Sequence, residues 1–591
     1  MNKIYLEKVK MLESDPEQTI AYNSKGSIVI KAGPGSGKTN VLTLKMAKLL
    51  KEKIKFPRKV ACITFSNEAT KEIKARVQQL VDYDENNSFI GTIHSFCLSQ
   101  ILKPYTRIFE YGINKDFKII SKEDKRKWIE EIKEELSISS DNLSHTEVDK
   151  ERMCMMEGES QVIIEVYDIA LQVARAYEEK LLRHNMVDFI SMVKIATKMI
   201  QNEPYLRECL EAKFPYVLID EYQDLGKPLH EMVLALIHKT NIKIIVVGDP
   251  NQTIYGFNGA IPAYLLELEN IDKFDSVELK NNYRSHQKIL DISSNTMNLP
   301  EGFFNAKMKM EKEPEINFIK FRGNHIDQYE YISNEIIPAC LKNGIKYSDI
   351  AILIRAKKKV KECQKILEQN SIPHYVMVFD FNRGNFIRFL EDCASWILNN
   401  RKIYFKDLLN EWVTFKYEGE ITNKIIDEER VFLYLTLVSS KEHTSNLLEW
   451  IKFIYSKLNI KEAIVSSSMH IDDANDLKSF VKFIREDKEK LDIEKFSKLG
   501  VQGDSVSLLT MHSSKGLEYD VVIMPAMEEG TFPSFNKVKE AEIEEEKRTF
   551  FVSLTRAKSI CYFLMSKSLY GYSKDPSRFI KDINFTSVKD V

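Results

Sequence analysis

Residues Ala32, Gly33, Pro34, Gly35, Ser36, Gly37, Lys38 and Thr39 read AGPGSGKT, and no other stretch restricts this chain as strongly. Glycines at three alternate positions admit backbone angles closed to other residues, so successive N–H groups can point inward around a phosphate. Lys38 then brings a compact positive charge to the β- and γ-phosphates, and Thr39 a hydroxyl to Mg²⁺. The flanks suit the loop. Ile28, Val29 and Ile30 form an apolar run fit for a buried strand, and Leu42, Met46, Leu49 and Leu50 recur afterwards at helical spacing. Strand, glycine loop and helix in this order aim a helix N-terminus at an anion, which marks the chain as a nucleotide user.

More of an open α/β sheet follows. Residues 60–64 read as a second buried strand and 68–77 as a helix, which puts Thr64, Phe65, Ser66 and Asn67 at a strand's C-terminal end, where such sheets bind ligands. His94, in GTIHSFC, is alone, and a lone histidine is ordinarily structural. Residues 216–219 form another apolar strand that exits into Asp220 and Glu221. Paired carboxylates there suit nucleotide hydrolysis, one in the Mg²⁺ shell and the other taking a proton from attacking water. After the strand at 244–247 come Gln252, Tyr255 and Phe257, the two aromatics being either core or stacking platforms for bases. Upstream of the loop, Gln18 offers a donor and an acceptor suited to an adenine edge, although taken alone it reads more readily as a solvated surface residue.

Two long segments break this pattern. Residues 105–203 contain no proline and pair Lys with Glu densely, as in KEDKRKWIEEIKEE, and residues 388–499 are rich in Lys, Leu, Ile and Asp. Both read as helical insertions. Strand candidates at 506–509, 521–525 and 560–564 then close a second sheet, and the acidic run at 540–546 reads as the solvated face of a helix.

Composition narrows the classes further. At 591 residues the chain has room for about four domains. A net charge of −2 gives no global basic signature, so any nucleic-acid contact must come from local patches. Eight cysteines carry no C-x-x-C pair, which argues against a zinc site or disulfide framework and for reduced core thiols. The N-terminus lacks an apolar signal region and no window nears the ~18 apolar residues of a membrane span. The expectation is a cytoplasmic protein without membrane contact. No LSGGQ-like string and no N-K-x-D guanine reader is present, which disfavours ABC-type ATPases and GTPases.

In order, AGPGSGKT, TFSNEA, GTIHSF, DEYQD, GDPNQTIYGFNGA, NNYRS, TMHSSKGLEYD, MEEGTFP and VSLTRA resemble the motif set of superfamily 1 DNA helicases of the UvrD/Rep/PcrA group. The resemblance implies an α/β fold of two RecA-like parallel-sheet motor domains, each carrying a mainly helical insertion. The first motor is expected at 1–96 and 185–276 with its insertion at 97–184, and the second at 277–385 and 501–591 with its insertion at 386–500. It implies ATP and Mg²⁺ as cofactors, Gln18 and Tyr283 around the adenine, Glu518 at the ribose, and Asp220 on the metal. Glu221 becomes the base, Gln252 the γ-phosphate sensor, and Arg284 and Arg556 the arginines that reach across the cleft. Phe65, His94, Tyr255 and Phe257 become single-strand stacking residues, with Thr64, Asn67 and His512 near the DNA backbone.

By family likeness the activity is 3′-to-5′ movement on single-stranded DNA and on tailed duplexes, in repair, replication restart or phage defence. Two other readings are a subunit that senses ATP and DNA and controls a partner nuclease, as in Gabija-type defence, and a translocase that clears proteins from single strands. The sequence departs from the family in three places. Phe257 and Asn258 replace a Trp-Arg pair, Asn40 replaces an arginine after the loop threonine, and the second insertion has no Gly-x-Gly duplex motif.

Overall fold

The computed structural model describes residues 3–82, 85–139, 143–156, 167–256, 259–308, 313–377, 379, 381–417, 421–466, 470–486, 491–569 and 571–591. Strands β1 (Ser27–Ala32), β2 (Val60–Thr64), β3 (Ser88–Thr92), β4 (Tyr216–Ile219), β5 (Lys243–Gly248) and β6 (Phe274–Leu279) form one sheet in the order β3-β2-β4-β5-β1-β6. Every pairing is parallel. Parallel sheets are covered on both faces, which is why their strands read as unbroken apolar runs. Alternate residues confirm this: Val29, Ala61, Val217 and Val246 enter one core, whereas Ile28, Cys62, Leu218 and Ile245 enter the core on the opposite face.

The second sheet has seven strands, β7 (Glu315–Phe321), β8 (Ile350–Ile354), β9 (His374–Val376), β10 (Val506–Thr510), β11 (Tyr519–Met524), β12 (Ala557–Ser566) and β13 (Ser587–Asp590). Their order is β9-β10-β8-β11-β12-β7-β13, again all parallel. Between β3 and β4 the chain leaves the first sheet for a helical body with its own core of Ile129, Ile132, Val148, Val173 and Tyr177. Between β9 and β10 a second helical body closes around Phe389, Trp412, Trp450 and Phe480. The expected architecture of two parallel sheets with helical insertions is therefore the observed one. The first sheet runs to Leu279, beyond the boundary expected at 276.

Four helices matter for the site: α1 (Pro16–Asn23), α2 (Lys38–Glu52), α3 (Asn67–Leu80) and α4 (Glu540–Leu554). The acidic run on α4 is not wholly a solvated face. Glu546 is 2% exposed and accepts from Arg355 Nη2 at 2.5 Å and Nε at 3.1 Å. All eight cysteines are free thiols, and all but the half-buried Cys209 are buried. No helix among the described residues is long and apolar enough to cross a membrane.

The first insertion is anchored by a buried ion network. Arg152, without exposed surface, donates Nη1 and Nη2 to Asp188 at 2.6 and 2.8 Å and Nε to Glu178 at 2.9 Å. Burial opposes the charge on Asp188, yet Arg152 and then Lys125 hold its carboxyl well below the usual range. Removing one member strands the other in a low dielectric. Arg152→Met is expected to destabilise the insertion by about 3–5 kcal/mol, seen as a lowered thermal midpoint in tryptophan fluorescence. An unshifted midpoint would show the network to be dispensable.

Candidate nucleotide site and nucleic-acid interface

The loop between β1 and α2 takes the shape its glycines permit. Gly35 and Gly37 have φ of +64° and +83°, the left-handed region that favours glycine. A Cβ on Gly35 would lie 2.7 Å from Asn282 Nδ2, so the backbone is closely walled as well as turned. Lys38 Nζ is buried and finds no hydrogen-bond acceptor among the described residues; Glu221 Oε1 lies 3.6 Å away. A buried ammonium left so is costly unless an anion meets it, and a phosphate at the mouth of α2 fits.

The expected adenine pair converges on one carboxylate. Asp15 caps α1 by accepting from Gln18 N at 3.0 Å, and it also accepts from Tyr283 Oη at 2.7 Å and Asn281 Nδ2 at 3.0 Å. Gln18 Nε2 donates to Ser36 O at 3.0 Å, and Tyr283 N to Gly35 O at 2.8 Å, so both touch the loop. An Asp-Pro pair is a local signal for such a cap, but nothing local signals the link of Asp15 to Tyr283. Asn282 adds a further tie, donating Nδ2 to Pro34 O at 2.5 Å.

Asp220 and Glu221 follow β4. Glu221 sits at φ +49°, an uncommon backbone for a non-glycine residue. Burial opposes its charge, but Lys38, Lys515 and the side chain of Gln223 hold its carboxyl below the usual range. Burial, and then Glu221, raise the carboxyl of Asp220. Gln223 bridges Glu221 to the next strand, donating Nε2 to Glu221 Oε2 and accepting from Asp249 N. Gln252 Nε2 in turn donates to Asp249 Oδ2 at 2.5 Å. Thr39 opens α2 beside Lys38, and the chemistry of Thr39 and Asp220, a hydroxyl and a carboxylate, fits a hard cation such as Mg²⁺.

The second motor closes this cleft with cations. The parallel register pairs Tyr519 with Ala557, which sets Glu518 and Arg556 side by side just before their strands. Arg284 Nε donates to Glu518 Oε2 at 2.9 Å, so Glu518 lies against Arg284 here. Arg556, 2% exposed, donates to Val552 O, Leu517 O and Thr555 Oγ1, all neutral acceptors. Burial, then Arg284, bring it down to about 9. Lys515, within HSSKGLE, carries no local signal of its role, yet it ties the motors together at three acceptors. It donates to Asp224 Oδ2 at 2.6 Å and Gln252 O at 2.9 Å and stands 3.6 Å from Glu221 Oε2.

Beyond Asp224, which lines it, lies a cavity of about 600 Å³ bordered also by Phe65, His94, Phe189, Lys125, Asp188 and Asp472. It is bounded by the first motor and both insertions. Phe65 is exposed and stacks on Tyr255, ring centres 5.4 Å apart, and His94 packs on Phe189 at 4.9 Å. Phe189 opens the helix that follows the first insertion and packs against the first sheet's core, and nothing in its local spacing distinguishes it from core. Burial lowers His94 to about 4, and burial followed by Arg355 does the same for His512, so both rings are neutral at pH 7. Thr64 is buried, its hydroxyl within 2.7 Å of that of Thr70 and donating to Ser66 O, whereas Asn67 donates to Asn385 of the second insertion. Phe257 lies outside the described residues.

Among known proteins, the UvrD/REP helicase N-terminal domain matches residues 12–273, and the UvrD-like helicase C-terminal domain matches residues 277–390 and 404–568. The chain is similar to the ATP-dependent DNA helicase PcrA of Staphylococcus epidermidis, at 28% identity over 653 aligned positions covering 97% of this chain and 86% of that protein. It is similar also to the ATP-dependent DNA helicase PcrA of Staphylococcus aureus, at 28% over 635 positions covering 95% and 84%.

Replacing Lys515 tests what holds the cleft shut. Lys515→Met removes the cation shared by Asp224, Glu221 and the Gln252 carbonyl, and small-angle scattering without nucleotide should then give a larger radius of gyration than the parent chain. An unchanged radius would assign closure to the remaining contacts.

Proposed function

The chain belongs to the UvrD/REP helicase family, and from that premise we propose that it spends ATP to move 3′ to 5′ along single-stranded DNA, separating tailed duplexes as it goes. It is an ATP-driven motor enzyme acting on DNA. The observation that carries the reading is the meeting of Lys38 and Glu221 from the first motor with Lys515 and, nearby, Arg556 from the second. In this reading Lys38 holds the β- and γ-phosphates, and Gln18 and Tyr283 hold the adenine. Thr39 and Asp220 would hold Mg²⁺, which when bound neutralises phosphate oxygens. Glu221, kept ionised by its cationic neighbours, takes the proton of the attacking water.

Arg284 and Arg556 stabilise charge on the transferring phosphoryl group. An arginine whose other acceptors are neutral oxygens keeps its charge for that task. Because both belong to the second motor's side of the cleft, hydrolysis requires closure, and closure is the motion that advances the strand. Gln252 lies between the two events: its side chain is fixed by Asp249, and its carbonyl is held by Lys515. Phe65, Tyr255, His94 and Phe189 offer faces for bases, a role we assign from family likeness to Phe257 too, with Asn67 and His512 nearer the backbone, and Thr64 acts by ordering the start of α3. Stacking tolerates any base, at about 1–3 kcal/mol each, so sequence preference is expected to be small.

Steady-state hydrolysis, followed in one tube with strand separation of 3′-tailed and 5′-tailed duplexes, tests the reading. Single strands should stimulate turnover, and only the 3′-tailed duplex should unwind. Lys38→Ala should abolish turnover, while Arg556→Ala should cut it by about 10³-fold or more with ATP binding little changed. Unwinding of the 5′-tailed duplex alone would reverse the direction, and equal losses of binding and turnover in Arg556→Ala would remove its role at the phosphoryl group.

A further inference from the structure

Helix α1 carries Gln18 and α2 begins with Lys38, so the relation of these two helices sets where a base lies with respect to the phosphates. One end of α1 is fixed through Asp15, as described. The other end is fixed by Lys45, two turns beyond Lys38 on the same side of α2. Lys45 is 2% exposed, and its Nζ lies 2.9 Å from Ala21 O, 3.3 Å from Tyr22 O, 2.8 Å from Ser24 O and 2.6 Å from Ser24 Oγ. All four acceptors are neutral and belong to the last turn and cap of α1. Terminal carbonyls of a helix have no partner within it and form its negative pole, so they can compensate a buried ammonium. Burial, and then Lys48, lower Lys45 to about 8. One turn further along α2, Lys48 donates to Asn23 Oδ1 at 2.7 Å and lies over the Tyr22 ring.

We propose that Lys45 is a positioning residue for nucleotide selectivity, fastening the end of α1 to the phosphate-loop helix so that Gln18 meets the base in a fixed register. The inference rests on the proposed role of Gln18 at the adenine. The register is tight: Gln18 Nε2 is committed to Ser36 O at 3.0 Å, and a Cβ on Gly37 would lie only 3.2 Å from that nitrogen. One Nε2–H is thereby used, and the amide oxygen is the acceptor that Gln18 can offer a base. An oxygen accepts from the exocyclic amine of adenine and is repelled by the carbonyl of guanine at the same place. Selectivity thus depends on α1 staying put, and a buried cation absent from the base-contacting set is what keeps it there.

The test uses the full chain and competition against a fluorescent nucleotide, with ATP, GTP and inorganic tripolyphosphate as competitors. Gln18→Ala should lose the preference for ATP over GTP while keeping tripolyphosphate affinity. Lys45→Met should weaken ATP by about tenfold, the worth of one hydrogen bond to the base, shrink the ATP-to-GTP ratio, and leave tripolyphosphate within about twofold. Lys45→Arg should restore much of the ratio, and Ser24→Ala, a milder change that covers a Lys45→Met chain unable to fold, should move it in the same direction by a smaller factor. A parental ratio in both Lys45→Met and Ser24→Ala, with Gln18→Ala impaired, overturns the inference and spares the reading of Gln18. Equal losses for ATP and tripolyphosphate in Lys45→Met also overturn it. A parental ratio in Gln18→Ala overturns the reading of Gln18 itself.

Discussion

A buried ammonium with no hydrogen-bond acceptor is among the costlier things a fold can hold, and Lys38 is kept in that condition at the mouth of α2. What makes it tolerable is the acid behind it. Glu221 lies 3.6 Å away and is itself held ionised by Lys38 and Lys515 against its burial. The parallel sheet makes this possible, because β1, β4 and β5 all end on the same side and empty their loops into one volume. Charges separated by some two hundred residues of sequence therefore become mutual solvents. The ring of charge is complete only with the second motor, which contributes Lys515 from a loop of its own sheet.

The second motor faces the cleft with two cations of unequal character. Lys515 reaches acids and a carbonyl, and so helps to neutralise the first motor's excess negative charge. Arg556 reaches only neutral oxygens, and so brings charge that nothing on the protein cancels directly. The first kind of contact favours a shut cleft, whereas the second favours an anion inside it.

Much of this was legible in the chain. The strand 60–64 and the run 216–219 were bounded correctly, since buried parallel strands are uniformly apolar and end abruptly at polar loop residues. That Gln18 and Tyr283 belong together was implied only by the family resemblance. The roles of Lys515, Asp15 and Phe189 were not legible, because what makes each important is a partner distant in sequence and no local spacing reveals it. Glu546 misled for the opposite reason. A run of glutamates predicts a wet helix face, but one of them turns inward to Arg355 from β8's end and is buried by that pairing. Thr64 belongs to the same lesson, since a hydroxyl at a strand end served its own helix start rather than the outside.

The position of β1 has a consequence for how the molecule is made. It hydrogen-bonds between β5 and β6, whose last residue is Leu279, so the phosphate loop has no sheet to stand on while a ribosome is still making the first insertion. At about 5–20 residues per second the interval lasts some tens of seconds. During it the strand 27–32 is an exposed apolar segment with both edges unpaired, the kind that joins other chains. The insertion between β3 and β4 lengthens that wait, and a helical body that can assemble around its own core in the meantime keeps the growing chain from offering more such surface at once.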